Sequence, residues 1–202
     1  MNIQDLKIIH SVLSQELGPG WLWLMFKASL KQKAILKKTK WAGRSDEEAQ
    51  FVKRLPIAVA LYQELQNLKG KEMAYEIIKK ILIPLGCAEQ KRYLEKLTKS
   101  GQTPMERLIA FNDLMEKEGA LKFNTYEYLT KGPDKAHFIV KRCVFYEFFS
   151  ETGVPELTKI FCEIDGVFLS EAFPEIKFHR GHSKENTIAF GRKHCDFIFE
   201  AH

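Results

Sequence analysis

Several things are scarce in this 202-residue sequence, and each shortage removes a class of protein. No apolar run exceeds Trp21-Leu22-Trp23-Leu24-Met25-Phe26, and a membrane span needs roughly 20 such residues, so no transmembrane segment is expected. Met1 to Leu17 is amphipathic and mixed in charge, without the apolar centre of a secretory signal. The four cysteines, Cys87, Cys143, Cys162 and Cys195, are scattered and never adopt CxxC spacing. They read as free thiols of a reducing compartment, which makes cytoplasmic the expected location. Cys143, Cys162 and Cys195 with His179, His182 or His194 lack the knuckle that marks structural zinc, so neither a metal nor a cofactor is expected. Internal repeats and low-complexity segments are missing too.

What is present is ordinary globular material: 45% hydrophobic and 28% charged residues, with a net charge of +5. A chain of this length buries a real core. From Lys27 to Arg44 the charges are all basic (Lys27, Lys31, Lys33, Lys37, Lys38, Lys40 and Arg44), beside Trp21, Trp23 and Phe26. Such a run could touch nucleic acid or, helped by the aromatic residues, an anionic membrane surface. No nucleic-acid motif accompanies it, so a solvated helix face is expected and nucleic acid is not.

The spacing of Ile3, Leu6, Ile9, Leu13 and Leu17 predicts a helix stopped by Gly18-Pro19-Gly20. A second helix is expected from the tryptophans to about Lys38. Ser45-Asp46-Glu47-Glu48 reads as a capping box whose helix breaks or kinks at Pro56. Another helix is expected from Lys71 to about Leu82, ending before Pro84. Thr103-Pro104-Met105-Glu106 opens one that runs to Gly119. Then the period changes. Alternation over 121–128 and 137–143, around Gly132-Pro133-Asp134, predicts a hairpin. A short helix follows from Tyr146 to about Glu151, another helix opens at Val154-Pro155-Glu156, and strands are expected at Ile176–Arg180 and Thr187–Phe199. The expected fold class is α+β: a helical part, 1–119, packed on a small, mostly antiparallel sheet with helices, 120–202, within one domain.

Cys162 and Asp165 stand three apart on a predicted helix and share a face. Asp165 borders the stripe Leu157, Ile160, Phe161, Ile164, Phe168, so it needs a partner, with Arg180 and His179 as candidates. In Cys195-Asp196-Phe197, strand alternation sends Cys195 and Asp196 to opposite sides.

The motifs of the C-terminal third carry a resemblance. Arg142-Cys143-Val144-Phe145-Tyr146-Glu147, Thr152-Gly153-Val154-Pro155-Glu156-Leu157 and Phe161-Cys162-Glu163-Ile164-Asp165 come first. Phe178-His179-Arg180, Thr187-Ile188-Ala189-Phe190-Gly191 and Cys195-Asp196-Phe197 follow in order. Together they resemble the L-2-amino-thiazoline-4-carboxylic acid hydrolase family. The resemblance implies hydrolytic opening of a cyclic amidine or thiazoline at a C–N or C–S bond, on a small-molecule substrate. It implies Cys162, Asp165 and Cys195 as catalytic candidates, and Arg180, His179, Cys143, Tyr146 and Thr187 as substrate-binding ones. A thiol would attack covalently only with its pKa below the free value of about 8.5. Asp165 would instead activate water or bind the positively charged amidine, and Arg180 would hold the substrate carboxylate in a bidentate pair. The alternative function is a non-catalytic small-ligand-binding or sensing module whose pocket is lined by Phe145, Tyr146, Phe148, Phe149 and Phe161. A homo-oligomer is compatible with either.

Overall fold

The computed structural model describes residues 3–97 and 102–202. The chain forms two compact units, residues 1–85 with 148–160 and residues 86–147 with 161–202.

The first unit is helical. Helix α1 (Ile3–Leu17) ends in a 3₁₀ turn at Gly18–Gly20, and α2 (Trp21–Lys37) follows directly. Then come α3 (Glu47–Val52), α4 (Pro56–Lys69) and the first half of α5 (Lys71–Leu94). Leu13, Leu24, Trp41, Tyr62, Leu65, Ile77, Ile78 and Phe148 are fully buried and make its core. Pro56 produces the expected break by starting α4, where a missing N–H costs no helical bond. The expected capping box at Ser45 is not what forms. Asp46 caps α3, accepting from the Ala49 amide at 3.1 Å and from Arg44 Nε at 2.8 Å. The Glu48 carboxylate that a box would need accepts instead from the Trp41 indole at 2.8 Å.

Helix α5 corrects a second expectation, because it passes through Pro84. Proline removes one backbone hydrogen bond, but burial supports the helix on both sides. Ala74, Ile77, Ile78 and Ile81 are buried before the proline, and Cys87, Tyr93 and Leu94 pack into the core of the second unit after it. Tertiary packing outweighs a local breaker here.

The second unit is built on a sheet of β1 (Thr125–Lys131), β2 (Lys135–Arg142), β3 (Ile176–His179) and β4 (Cys195–Ala201). The order is β1-β2-β4-β3 and every pairing is antiparallel. The unit also contains α6 (Pro104–Lys117) and parts of α7 (Val144–Glu151) and α8 (Leu157–Ala172). The fold class is α+β, as the change of period implied. Thr103 and Glu106 form the expected capping box on α6.

Register separates the two faces of the sheet. Val140 lies opposite Cys195, Phe138 opposite Phe197, and Phe199 between Ala136 and Phe178. These side chains meet Phe111 of α6 and Phe168 of α8, whose rings are 5.4 Å apart. Each fully buried phenylalanine contributes about 1.5–3 kcal/mol over exposure. The other face carries His137, Ile139, Asp196, Ile198 and Glu200.

Two strands are shorter than expected. Residues Ala120–Phe123 form a 3₁₀ turn, so β1 starts at Thr125. The strand expected from Thr187 starts only at Cys195, because Ile188–Phe190 is also 3₁₀ and Gly191 follows at φ +83°. An L side chain rarely adopts that φ, so the glycine is where the chain turns instead of extending.

Candidate active site

The candidate site lies within the second unit, where α8, the end of β3 and the start of β4 bring Cys162, Asp165, Arg180, Thr187 and Cys195 together. Helical spacing puts Cys162 and Asp165 on one side of α8. Arg180 follows β3 and is 5% exposed. Its Nη2 donates to Asp165 Oδ2 at 3.0 Å and to the Cys162 carbonyl at 3.4 Å, and its Nη1 donates to the Asp196 carbonyl at 3.2 Å. The guanidinium lies 4.2 Å from the Phe197 ring centroid and 5.3 Å from that of Phe178. A planar cation suits this setting, since it spends its edge on oxygens and its face on rings.

Gln90, on the second half of α5, donates to the other Asp165 oxygen at 3.3 Å. The carboxylate is thus held at both oxygens. Burial still pushes the Asp165 pKa up, against the pull of Arg180 and Gln90. A carboxylate shifted this way holds its proton more readily than an exposed aspartate and is suited to taking one from water.

The thiols lie around this pair, where burial disfavours their ionised form. Cys162 Sγ lies 3.8 Å from Thr187 Oγ1, and the Ile188 amide donates to Cys195 Sγ at 3.2 Å. Burial lifts Cys162 to about 11 and Cys143 to about 12, and also raises Cys195. Arg180 lowers Cys162 and Cys195 without cancelling that effect. Burial thus disfavours the ionised form of all three thiols, the reverse of what ready thiolate attack needs.

Thr187 is fully buried, and its carbonyl accepts from the amides of Phe190 and Arg192, which folds the turn leading to Cys195. Tyr146 is half-buried on α7, one turn after Cys143.

His179 is not part of this group. Strand alternation turns it away from Arg180, and its ring meets Glu200 at 3.3 Å and accepts from the Gly181 amide at 3.1 Å. Asp196 likewise faces the other side of the sheet from Cys195. There it meets His137 Nε2 at 2.9 Å and His194 Nε2 at 3.4 Å, and accepts from Asn186. Asn186 also donates to the Arg180 carbonyl at 3.2 Å, so it ties the 181–186 loop to both ends of the site. The aromatic run is divided as well. Phe148 and Phe149 are fully buried, Phe148 against Trp41 at 5.9 Å, whereas Phe145 meets Phe161 at 4.5 Å. Among the described residues no three His, Cys, Asp or Glu side chains gather as metal ligands.

Gln90 and Asn186 were missed by sequence reasoning. Continuing α5 through Pro84 would have brought Gln90 into consideration. Nothing in the loop composition singled out Asn186.

Residues 47–199 match the sequence pattern of L-2-amino-thiazoline-4-carboxylic acid hydrolase. The chain belongs to that family. The match spans both the motif-bearing C-terminal third and α3 to α6 of this L-2-amino-thiazoline-4-carboxylic acid hydrolase family member. No curated protein and no solved structure shows significant similarity to it. No helix among the described residues is long and apolar enough to cross a membrane.

Proposed function

We propose that the protein is a hydrolase that opens a small cyclic amidine of the thiazoline type, and that residues 1–202 act as one domain. The observation that supports this reading is Asp165, clamped by Arg180 and Gln90 beside Cys162 in a chain of this family. In this reading Asp165 takes a proton from water, and the water oxygen adds to the ring carbon between sulfur and nitrogen. The C–S bond breaks, its electron pair leaves on sulfur, and the sulfur collects a proton. One water is consumed, and the ring becomes a carbamoyl group on nitrogen plus a free thiol. Arg180 is already engaged by three oxygens, so it acts as the positioning residue for Asp165. A substrate carboxylate would reach only a donor that it has left over. Cys162 and Cys195 line the site as neutral thiols.

The test is thiol release from a 2-aminothiazoline-4-carboxylate by the purified protein and by Asp165→Asn. Turnover by the native chain, with a loss of about 10²–10⁴-fold in the variant, supports the assignment. Turnover unchanged by Asp165→Asn rejects the role of Asp165, and saturable binding without turnover rejects hydrolysis. That last outcome would favour the second reading, a non-catalytic binding module. One observation favours that reading: Asp165 and Arg180 already satisfy one another.

A further inference from the structure

Helix α2 has a side that the fold does not cover. Leu22, Trp23, Phe26 and Leu30 are 62%, 61%, 50% and 65% exposed. Their spacing of three and four residues places them on one side, and the rings of Trp23 and Phe26 stack at 5.4 Å. The same side continues through Lys33 and Lys37, and Lys38 follows at the end of the helix, all three exposed. These three lysines form no ion pair among the described residues, whereas Lys27 and Lys31, nearer the buried edge, pair with Glu64 of α4. No acidic residue occurs between Trp21 and Arg44. Beside Trp23 a cleft of about 270 Å³ opens, lined by Leu17, Leu24 and Leu68 with Lys27, Lys69 and Glu64. The helix lies outside the family match, which begins at residue 47.

We propose that this side of α2 docks on a bilayer carrying anionic headgroups. Leu22, Trp23, Phe26 and Leu30 enter the headgroup–acyl boundary, and Lys33, Lys37 and Lys38 meet the phosphates. The pairing is the one an interfacial helix uses, with apolar burial and cationic attraction acting together. Charge and pattern favour this occupant over others. A two-fold contact with a second copy would set the lysines of one helix against the phenylalanine and leucine of the other, or against its lysines. A nucleic-acid duplex would engage the lysines and leave four large apolar side chains in water.

The experiment uses the full chain with two vesicle preparations, phosphatidylcholine alone and phosphatidylcholine with phosphatidylglycerol, read by co-sedimentation and tryptophan emission. Trp41 is fully buried and Trp21 is half-buried against His10, so a blue shift that Trp23→Ser removes reports on the exposed Trp23. Association with the phosphatidylglycerol vesicles is expected, with a blue shift and little binding to phosphatidylcholine alone. Lys33→Gln/Lys37→Gln/Lys38→Gln should weaken it about 100-fold, at roughly fivefold per lysine. Trp23→Ser/Phe26→Ser should abolish the blue shift. All five positions are exposed, so the variants should keep native circular dichroism. Asp165→Asn should bind vesicles like the native chain, which makes the result independent of the proposed hydrolysis. Equal binding to both preparations, no binding to either, or a triple variant within twofold of native overturns the proposal. Tighter lysine-dependent binding to a DNA duplex than to the vesicles overturns it too. So does a dimer that Trp23→Ser/Phe26→Ser dissolves.

Discussion

Each unit holds a carboxylate against its core, Glu64 buried and Asp165 half-buried, and the two are neutralised differently. In the helical unit Glu64 is 5% exposed, but its cations, Lys27 and Lys31, come from side chains that keep about half their surface in water. In the sheet unit the cation of Asp165 is Arg180, itself 5% exposed and packed against two rings. The first arrangement leaves the lysines hydrated. The second takes the guanidinium from water, leaves the aspartate 28% exposed, and fixes the pair by direct hydrogen bonds, an expensive arrangement unless geometry is good. That contrast separates a carboxylate that is merely accommodated from one that is aimed.

The largest effect should come from breaking the aimed pair. Arg180→Met leaves Asp165 without its cation and should destabilise the protein by about 3–5 kcal/mol, measured by urea unfolding. Lys31→Met, on the other carboxylate, should cost about 1 kcal/mol or less. Equal costs would erase the distinction. Adding Asp165→Asn to Arg180→Met should recover much of the loss, since the uncompensated charge is then gone.

A second difference between the units is that Cys87, Cys143, Cys162 and Cys195 all belong to the sheet unit. Burial raises Cys162 to about 11 and Cys143 to about 12, so the fold holds protons that an unfolded chain releases near pH 8.5. Their contribution is fully present below about pH 8.5 and falls as pH rises toward 11 and 12. Urea midpoints should therefore be flat from pH 7 to 8.5 and decline by pH 10, and Cys143→Ala should flatten that decline. Thiolate absorbance in the native protein below pH 8 would contradict this and revive covalent attack.

The smallest effect concerns Thr103→Ala, which removes the α6 capping box and should cost about 1 kcal/mol. A loss confined to thermal stability, with thiol protection at pH 9 unchanged, would show that α6 can fray without opening the site.

Much of this was legible in the sequence where local signals and packing agree. Gly18-Pro19-Gly20, Pro56 and the Thr103 box mark helix ends as expected, and the pairing of Asp165 with Arg180 follows from a carboxylate on an apolar stripe. Failures fall where a distant contact decides. Pro84 sits inside α5 because residues on both sides of it are buried, and Ser45 loses the cap because Trp41 engages Glu48. Thr187 to Phe190 reads as a strand by composition, yet Gly191 adopts a positive φ that composition alone does not reveal. His179 could not be separated from Arg180 until strand register assigned their directions.

The sheet order has a consequence for how the molecule is made. Strand β4 comes after β3 in the chain yet sits between β2 and β3, so β3 has no neighbour to pair with until residues 195–201 emerge from the ribosome. During that interval Phe138 of the hairpin lacks its partners Phe197 and Phe199, and Cys195 arrives only with the strand that closes the sheet. Synthesis is thus the period when this unit is most exposed to mispairing and to chaperones.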